Sequence, residues 1–110
     1  MKTYGDQIWI ESQPRQLAEV LVSITDVITM QNFLRDVLTE KEIIEMSARL
    51  EAAKMLQSGS KYTDIVANTK LSSRTIARIS EWLKNGAGGY SAAIELANVH
   101  HAHIPPARAE

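Results

Sequence analysis

The chain has 110 residues, 45% of them apolar, with a formal net charge of −1; this suits one small domain with a single core and excludes a disordered polyelectrolyte. Cysteine is absent, which excludes disulfide frameworks and thiolate metal sites. No apolar run approaches the ~18 residues of a membrane span and the N-terminal stretch lacks the apolar centre of a signal peptide, so a cytoplasmic, helix-rich protein is expected.

Residues 1–13 read as an N-terminal arm with weak periodicity, anchored by Tyr4, Ile8, Trp9 and Ile10. A helical domain is expected over residues 14–99. Pro14 fits the first turn of a helix, in which Leu17, Val20, Leu21 and Ile24 recur at helical spacing. Thr25 or Asp26 suits the cap of a second helix. Its Val27, Ile28, Met30, Phe33, Leu34 and Val37 spread apolar surface over more than one side and demand burial. The run Thr39-Glu40-Lys41-Glu42 has the form of a capping box and opens a third, long helix. Ile43, Ile44, Met46, Leu50, Ala53, Met55 and Leu56 follow, and Gly59 is the expected left-handed stop.

Residues 61–84 read as two short helices joined by a tight turn. Ile65, Val66, Leu71, Ile76, Ile79 and Leu83 make one apolar set. At about 100° per residue, Ile76, Ile79 and Leu83 fall within about 60° of one another, and Arg74 and Arg78 lie opposite. Ser72 is a good N-cap, so the first turn of the second helix offers backbone N–H groups, hydroxyls and Arg74 to a polyanion. A helix-turn-helix touches DNA bases with such an end. Residues 60–85 carry Lys61, Lys70, Arg74, Arg78 and Lys84 against Asp64 and Glu81, a net +3, while the rest of the chain is net −4. Positive charge is therefore concentrated beside the helix that would enter a groove.

The glycine-rich stretch Asn85-Gly86-Ala87-Gly88-Gly89 ends that helix, and it lacks the lysine and strand context of a phosphate loop. Ser91 is the expected cap of a last helix with Ala93, Ile94, Leu96 and Ala97. Residues 100–110 are expected to be a flexible tail, in which His100, His101 and His103 precede Pro105 and Pro106 without an acidic or sulfur partner for a metal. Glu40, Glu42, Glu45 and Glu51 spread around the long helix rather than converging. No nucleophile and base stand at catalytic spacing, so no enzyme, cofactor or metal site is expected.

Leu38-Thr39, the segment from Arg49 through Leu56, Tyr62, Ile65, Thr75-Ile76-Ala77-Arg78-Ile79, Gly86 and Gly89-Tyr90 together resemble the tryptophan-repressor superfamily, most nearly its small YerC/YecD-type branch. The resemblance covers about residues 23–98, and its long-helix segment is the most specific part. It implies an all-α fold of about six helices, an intertwined homodimer, and transcriptional repression through recognition helices in successive major grooves. It also implies an effector slot built from Thr39, Arg49 and Arg78. Two positions depart from the pattern: Lys70 stands where a turn glycine is common, and Ile79 stands where a glycine follows the last arginine of the slot.

The expected function is that of a sequence-specific, dimeric regulator of double-stranded DNA with its helix-turn-helix at residues 61–85. Its expected DNA-binding residues are Lys61, Thr63, Lys70, Ser72, Ser73, Arg74, Thr75 and Arg78. The alternatives are a helical adaptor that uses the same face on an acidic protein, or a tryptophan-gated repressor. Tryptophan is disfavoured as corepressor because Ile79 would occupy indole space, and Thr39 and Arg78 already have plain roles as a cap and a phosphate ligand.

Overall fold

The computed structural model describes residues 6–103. A 3-10 helix, Asp6–Ile10, precedes six α-helices: α1 Ser12–Ser23, α2 Val27–Val37, α3 Glu40–Gln57, α4 Tyr62–Thr69, α5 Ser73–Asn85 and α6 Gly89–His103. The fold is all-α, as expected, and among the described residues there is no strand. The chain divides into two compact units, the first ending at Ser47 and the second beginning at Ala48.

In the first unit the local signals act at the positions the sequence marks. Ser12 opens α1, so Pro14 sits in its first turn, where the missing N–H costs no helical bond. The expected arm thus divides into the 3-10 turn and the start of α1, and its candidate anchor Tyr4 lies outside the described residues. Of the two candidate caps for α2, Asp26 is the one used. Its carboxylate accepts the Thr29 N–H at 2.9 Å, and that bond holds its pKa below the ordinary aspartate value. The capping box of α3 closes from both sides: the Glu42 N–H donates to Thr39 Oγ1 at 3.1 Å and the Thr39 N–H to Glu42 Oε1 at 2.8 Å.

Among the described residues of this unit there is no buried core. Neither α1 nor α2 contains a buried residue, and Val22, Val27 and Ile28 are 82%, 63% and 61% exposed. Among the described residues, the apolar girth of α2 that calls for burial is not fully buried.

The second unit holds the core. Ala52 and Ala53 of α3, Ile65 of α4, Ile76 and Ile79 of α5, and Ile94 of α6 are buried together. Leu50, Met55, Leu56, Val66, Leu71, Leu83 and Tyr90 pack around them. The long helix ends in a Schellman motif: the Ser60 N–H donates to the Met55 carbonyl at 2.9 Å and the Gly59 N–H to the Leu56 carbonyl at 3.1 Å. Gly59 takes φ +87°, the left-handed conformation that glycine adopts without steric cost.

Two boundaries differ from expectation. α6 starts at Gly89, not after Ser91, because Gly88 turns left-handed at φ +89° and its carbonyl already accepts the Ala92 N–H at 3.1 Å. Glycine is an adequate N-cap, and this turn brings the chain into helix before the serine is reached. At the other end α6 continues to His103, so the tail expected from His100 is helical in its first residues. Residues 104–110, with both tail prolines, lie outside the described residues.

Candidate nucleic-acid interface

The second unit presents α4 and α5 as a helix-turn-helix built on the three largest fully buried side chains, Ile65, Ile76 and Ile79. Burying that face of α5 fixes the helix about its own axis, and the opposite face is left to solvent. Ser73, Arg74, Ala77 and Arg78 are all exposed, as the helical spacing predicts. Lys61, Thr63, Lys70 and Ser72 are exposed as well, whereas Thr75 is half-buried.

Every expected DNA-binding residue therefore lies on this one pair of helices and the segments that enter them. Among the described residues, none of Lys61, Lys70, Arg74, Arg78 and Lys84 is held in an ion pair. Among the described residues no carboxylate takes up their charge.

The start of α5 is ordered by side-chain oxygens. Ser72 Oγ accepts the Thr75 N–H at 3.1 Å and donates its own proton to Thr75 Oγ1 at 3.1 Å. A hydroxyl has one proton to give, so Ser72 is committed to capping, and the hydroxyls left to donate outward are those of Ser73 and Thr75. The backbone N–H groups of Ser73 and Arg74 have no partner among the described residues. Together they form the partial positive charge of a helix N-terminus aimed at solvent.

The turn between the helices is left-handed although no glycine stands in it. Lys70 takes φ +64°, ψ +10°, and its N–H donates to the Val66 carbonyl at 2.9 Å. The left-handed turn usual with glycine is kept, with lysine bearing the strain. Thr69, the buried polar side chain of this turn, is not among the residues expected at the site. A threonine four residues after Ile65 at a helix end is the available signal, since its hydroxyl can bond back one turn. Gly86 is required by space rather than by its φ of −83°, because a Cβ there would lie 2.5 Å from the Trp82 carbonyl oxygen.

Thr39, Arg49 and Arg78 are not brought together within one unit: Thr39 caps α3 in the first, while half-buried Arg49 and exposed Arg78 belong to the second. Ile79 is fully buried in the core of the second unit. Among the described residues no group of carboxylates and histidines could hold a metal ion, and no helix is long and apolar enough to cross a membrane.

Comparison with known proteins gives this geometry a family. A family model described as Trp repressor protein matches residues 12–98. The chain belongs to the Trp repressor family. It is similar to the uncharacterized protein YerC of Bacillus subtilis (strain 168), at 34% identity over 80 residues, 73% of this chain and 77% of that protein. It is also similar to a solved structure, a TrpR-like protein from Eubacterium eligens ATCC 27750, with a TM-score of 0.79 and 32% identity over 84% of this chain and 96% of that one. The YerC-type assignment within the Trp repressor family stands on both. Trp repressor family proteins are helical DNA-binding regulators rather than enzymes, and the exposed basic face of α5 is the feature of this chain that fits that role.

Proposed function

We propose that the protein is a homodimeric, sequence-specific transcriptional repressor that reads double-stranded DNA with α5. The observation that carries this is the division of α5 between a fully buried Ile76 and Ile79 and an exposed Ser73, Arg74 and Arg78, beside a helix N-terminus with unpartnered N–H groups. Ser73, Arg74 and Thr75 meet base edges and phosphates, Ser72 orders them, and Lys61, Thr63, Lys70 and Arg78 hold the backbone. Phosphate contacts position the protein and a few base contacts specify the site.

Support for the dimer comes from the first unit. α1 and α2 bury no residue while Val22, Val27, Ile28 and Val37 stand exposed, and a second copy of the same segment is the covering that leaves no apolar face to water. Association is then part of folding, and the unfolding midpoint rises with protein concentration. A concentration-independent midpoint with a monomer mass would remove the dimer.

The test of DNA reading is selection of bound sequences from random duplexes, followed by a salt titration. Six neutralised phosphates per dimer give a slope of log affinity on log salt near about −5, and the selected site is a rough palindrome with half-sites ~34 Å apart. No duplex binding at low salt would instead assign the basic face to an acidic protein partner. Tryptophan does not gate the binding, since Ile79 fills the core beside Arg78 and Thr39 is occupied as a cap. Millimolar tryptophan shifts affinity less than about threefold, against the 1 to 3 kcal/mol typical of roughly 5- to 150-fold effectors.

A further inference from the structure

Thr69 closes α4 and is buried, with 9% of its surface exposed, although its hydroxyl is polar. That hydroxyl is engaged twice. It donates to the Ile65 carbonyl at 2.7 Å and accepts the Leu71 N–H at 3.3 Å. The first bond turns the side chain back along α4, and with its proton committed there only the lone pairs remain to meet the turn. The second fastens the backbone of Leu71, the residue before the Ser72 cap, while the Leu71 side chain packs on the core. Between them Lys70 is strained at φ +64° and donates to Val66. The oxygen of Thr69 thus links the last turn of α4 to the residue from which α5 departs.

We infer that Thr69 is a positioning residue for DNA recognition: its hydroxyl sets where the first turn of α5, with Ser73, Arg74 and Thr75, stands relative to α4. The inference rests on the DNA-reading function proposed above and adds a residue that touches no DNA. Without the oxygen, the Leu71 N–H loses its partner in a half-buried turn, and the strained Lys70 conformation loses the bond that spans it. The helices stay packed through Ile65, Ile76 and Ile79, but the start of α5 gains freedom. Base contacts depend on that placement more than phosphate contacts do, because a hydrogen bond to a base edge is directional and charge attraction is not.

The test uses the full-length protein and compares Thr69→Val, which keeps shape and deletes the oxygen, with Thr69→Ser, which keeps the oxygen and deletes a methyl. Amide hydrogen exchange is followed residue by residue, and affinity is measured for the best selected duplex and for a scrambled duplex at one salt concentration. Thr69→Val is expected to speed exchange at the Leu71 and Thr75 amides, which are hydrogen-bonded in this turn, leaving Ile65 and Ile79 protected. It is also expected to lower the ratio of selected to scrambled affinity about tenfold, the size of a lost base contact, with scrambled binding within about threefold of wild type. Thr69→Ser is expected to retain both protection and ratio. A merely structural threonine would lower the folded fraction and both affinities alike, leaving the ratio unchanged, and that result would overturn the inference. So would loss of the ratio in Thr69→Ser equal to that in Thr69→Val. Thr69→Ala deletes the same oxygen with less bulk and carries the comparison if Thr69→Val does not fold. If the wild type binds no duplex, the DNA function fails by itself, and unchanged exchange at Leu71 in Thr69→Val would overturn the positioning role independently.

Discussion

Replacing Lys70 by glycine should raise stability and weaken DNA binding together. The residue sits at φ +64°, where a side chain with a Cβ costs about 1–2 kcal/mol relative to the right-handed regions. Glycine escapes that cost but brings about 0.5–1 kcal/mol of extra freedom in the unfolded chain. The net gain is then ~0.5–1 kcal/mol, a rise in midpoint of about 2–5 °C for a domain of this size. Little else is lost, because the Lys70 side chain is exposed and in no ion pair among the described residues, and its backbone bond to Val66 remains available to glycine. Thermal unfolding followed by circular dichroism at fixed protein concentration measures the first effect. A salt titration of duplex binding measures the second, in which removing one charge per subunit should make the dimer's slope shallower by about two. A lower midpoint for Lys70→Gly would refute the assignment of strain to this turn. A higher midpoint with an unchanged slope would leave the strain but remove Lys70 from the DNA contacts.

Arg74→Ala should cost ~1–3 kcal/mol in operator affinity and relax the preference at one position per half-site; equal loss on every sequence in a binding selection would show that Arg74 meets only phosphate. Gly86→Ala should destabilise the end of α5 by about 1–3 kcal/mol, since its Cβ would stand 2.5 Å from a backbone oxygen that cannot move without unwinding the last turn; urea unfolding showing no loss would mean that the turn relaxes freely. The Asp26 carboxyl is held below its ordinary pKa by the Thr29 bond, so its contribution is full above about pH 4 and is lost as pH falls through the lower folded value. The difference in midpoint between wild type and Asp26→Ala should therefore be constant near neutrality and shrink below about pH 4; a difference that grows on acidification would contradict the sign.

Much of the fold was legible because its signals are periodic or stereochemical. Ile65, Ile76 and Ile79 share a face at helical spacing, and the same spacing sends Arg74 and Arg78 outward, as observed. Thr39 with Glu42, and Gly59, announce helix ends through bonds that few other residues supply. The start of α6 was not legible, because serine and glycine caps differ by only a few tenths of a kcal/mol and the left-handed turn at Gly88 decides the matter through the path of the chain. Thr69 was hidden for a related reason. A threonine in a helix of eight residues reads as one more polar position, and its value lies in a bond to a backbone group whose direction only the folded turn defines.

The two sides of α5 answer to different demands. Its 13 residues carry Ile76 and Ile79 toward the core, and the outward positions Ser73, Arg74, Ala77 and Arg78 contribute nothing that the core requires. Substitutions on the outer side can therefore accumulate without a folding penalty, while the inner side is held nearly constant by packing. Descendants of such a chain can change what they recognise one residue at a time, each intermediate remaining a folded protein.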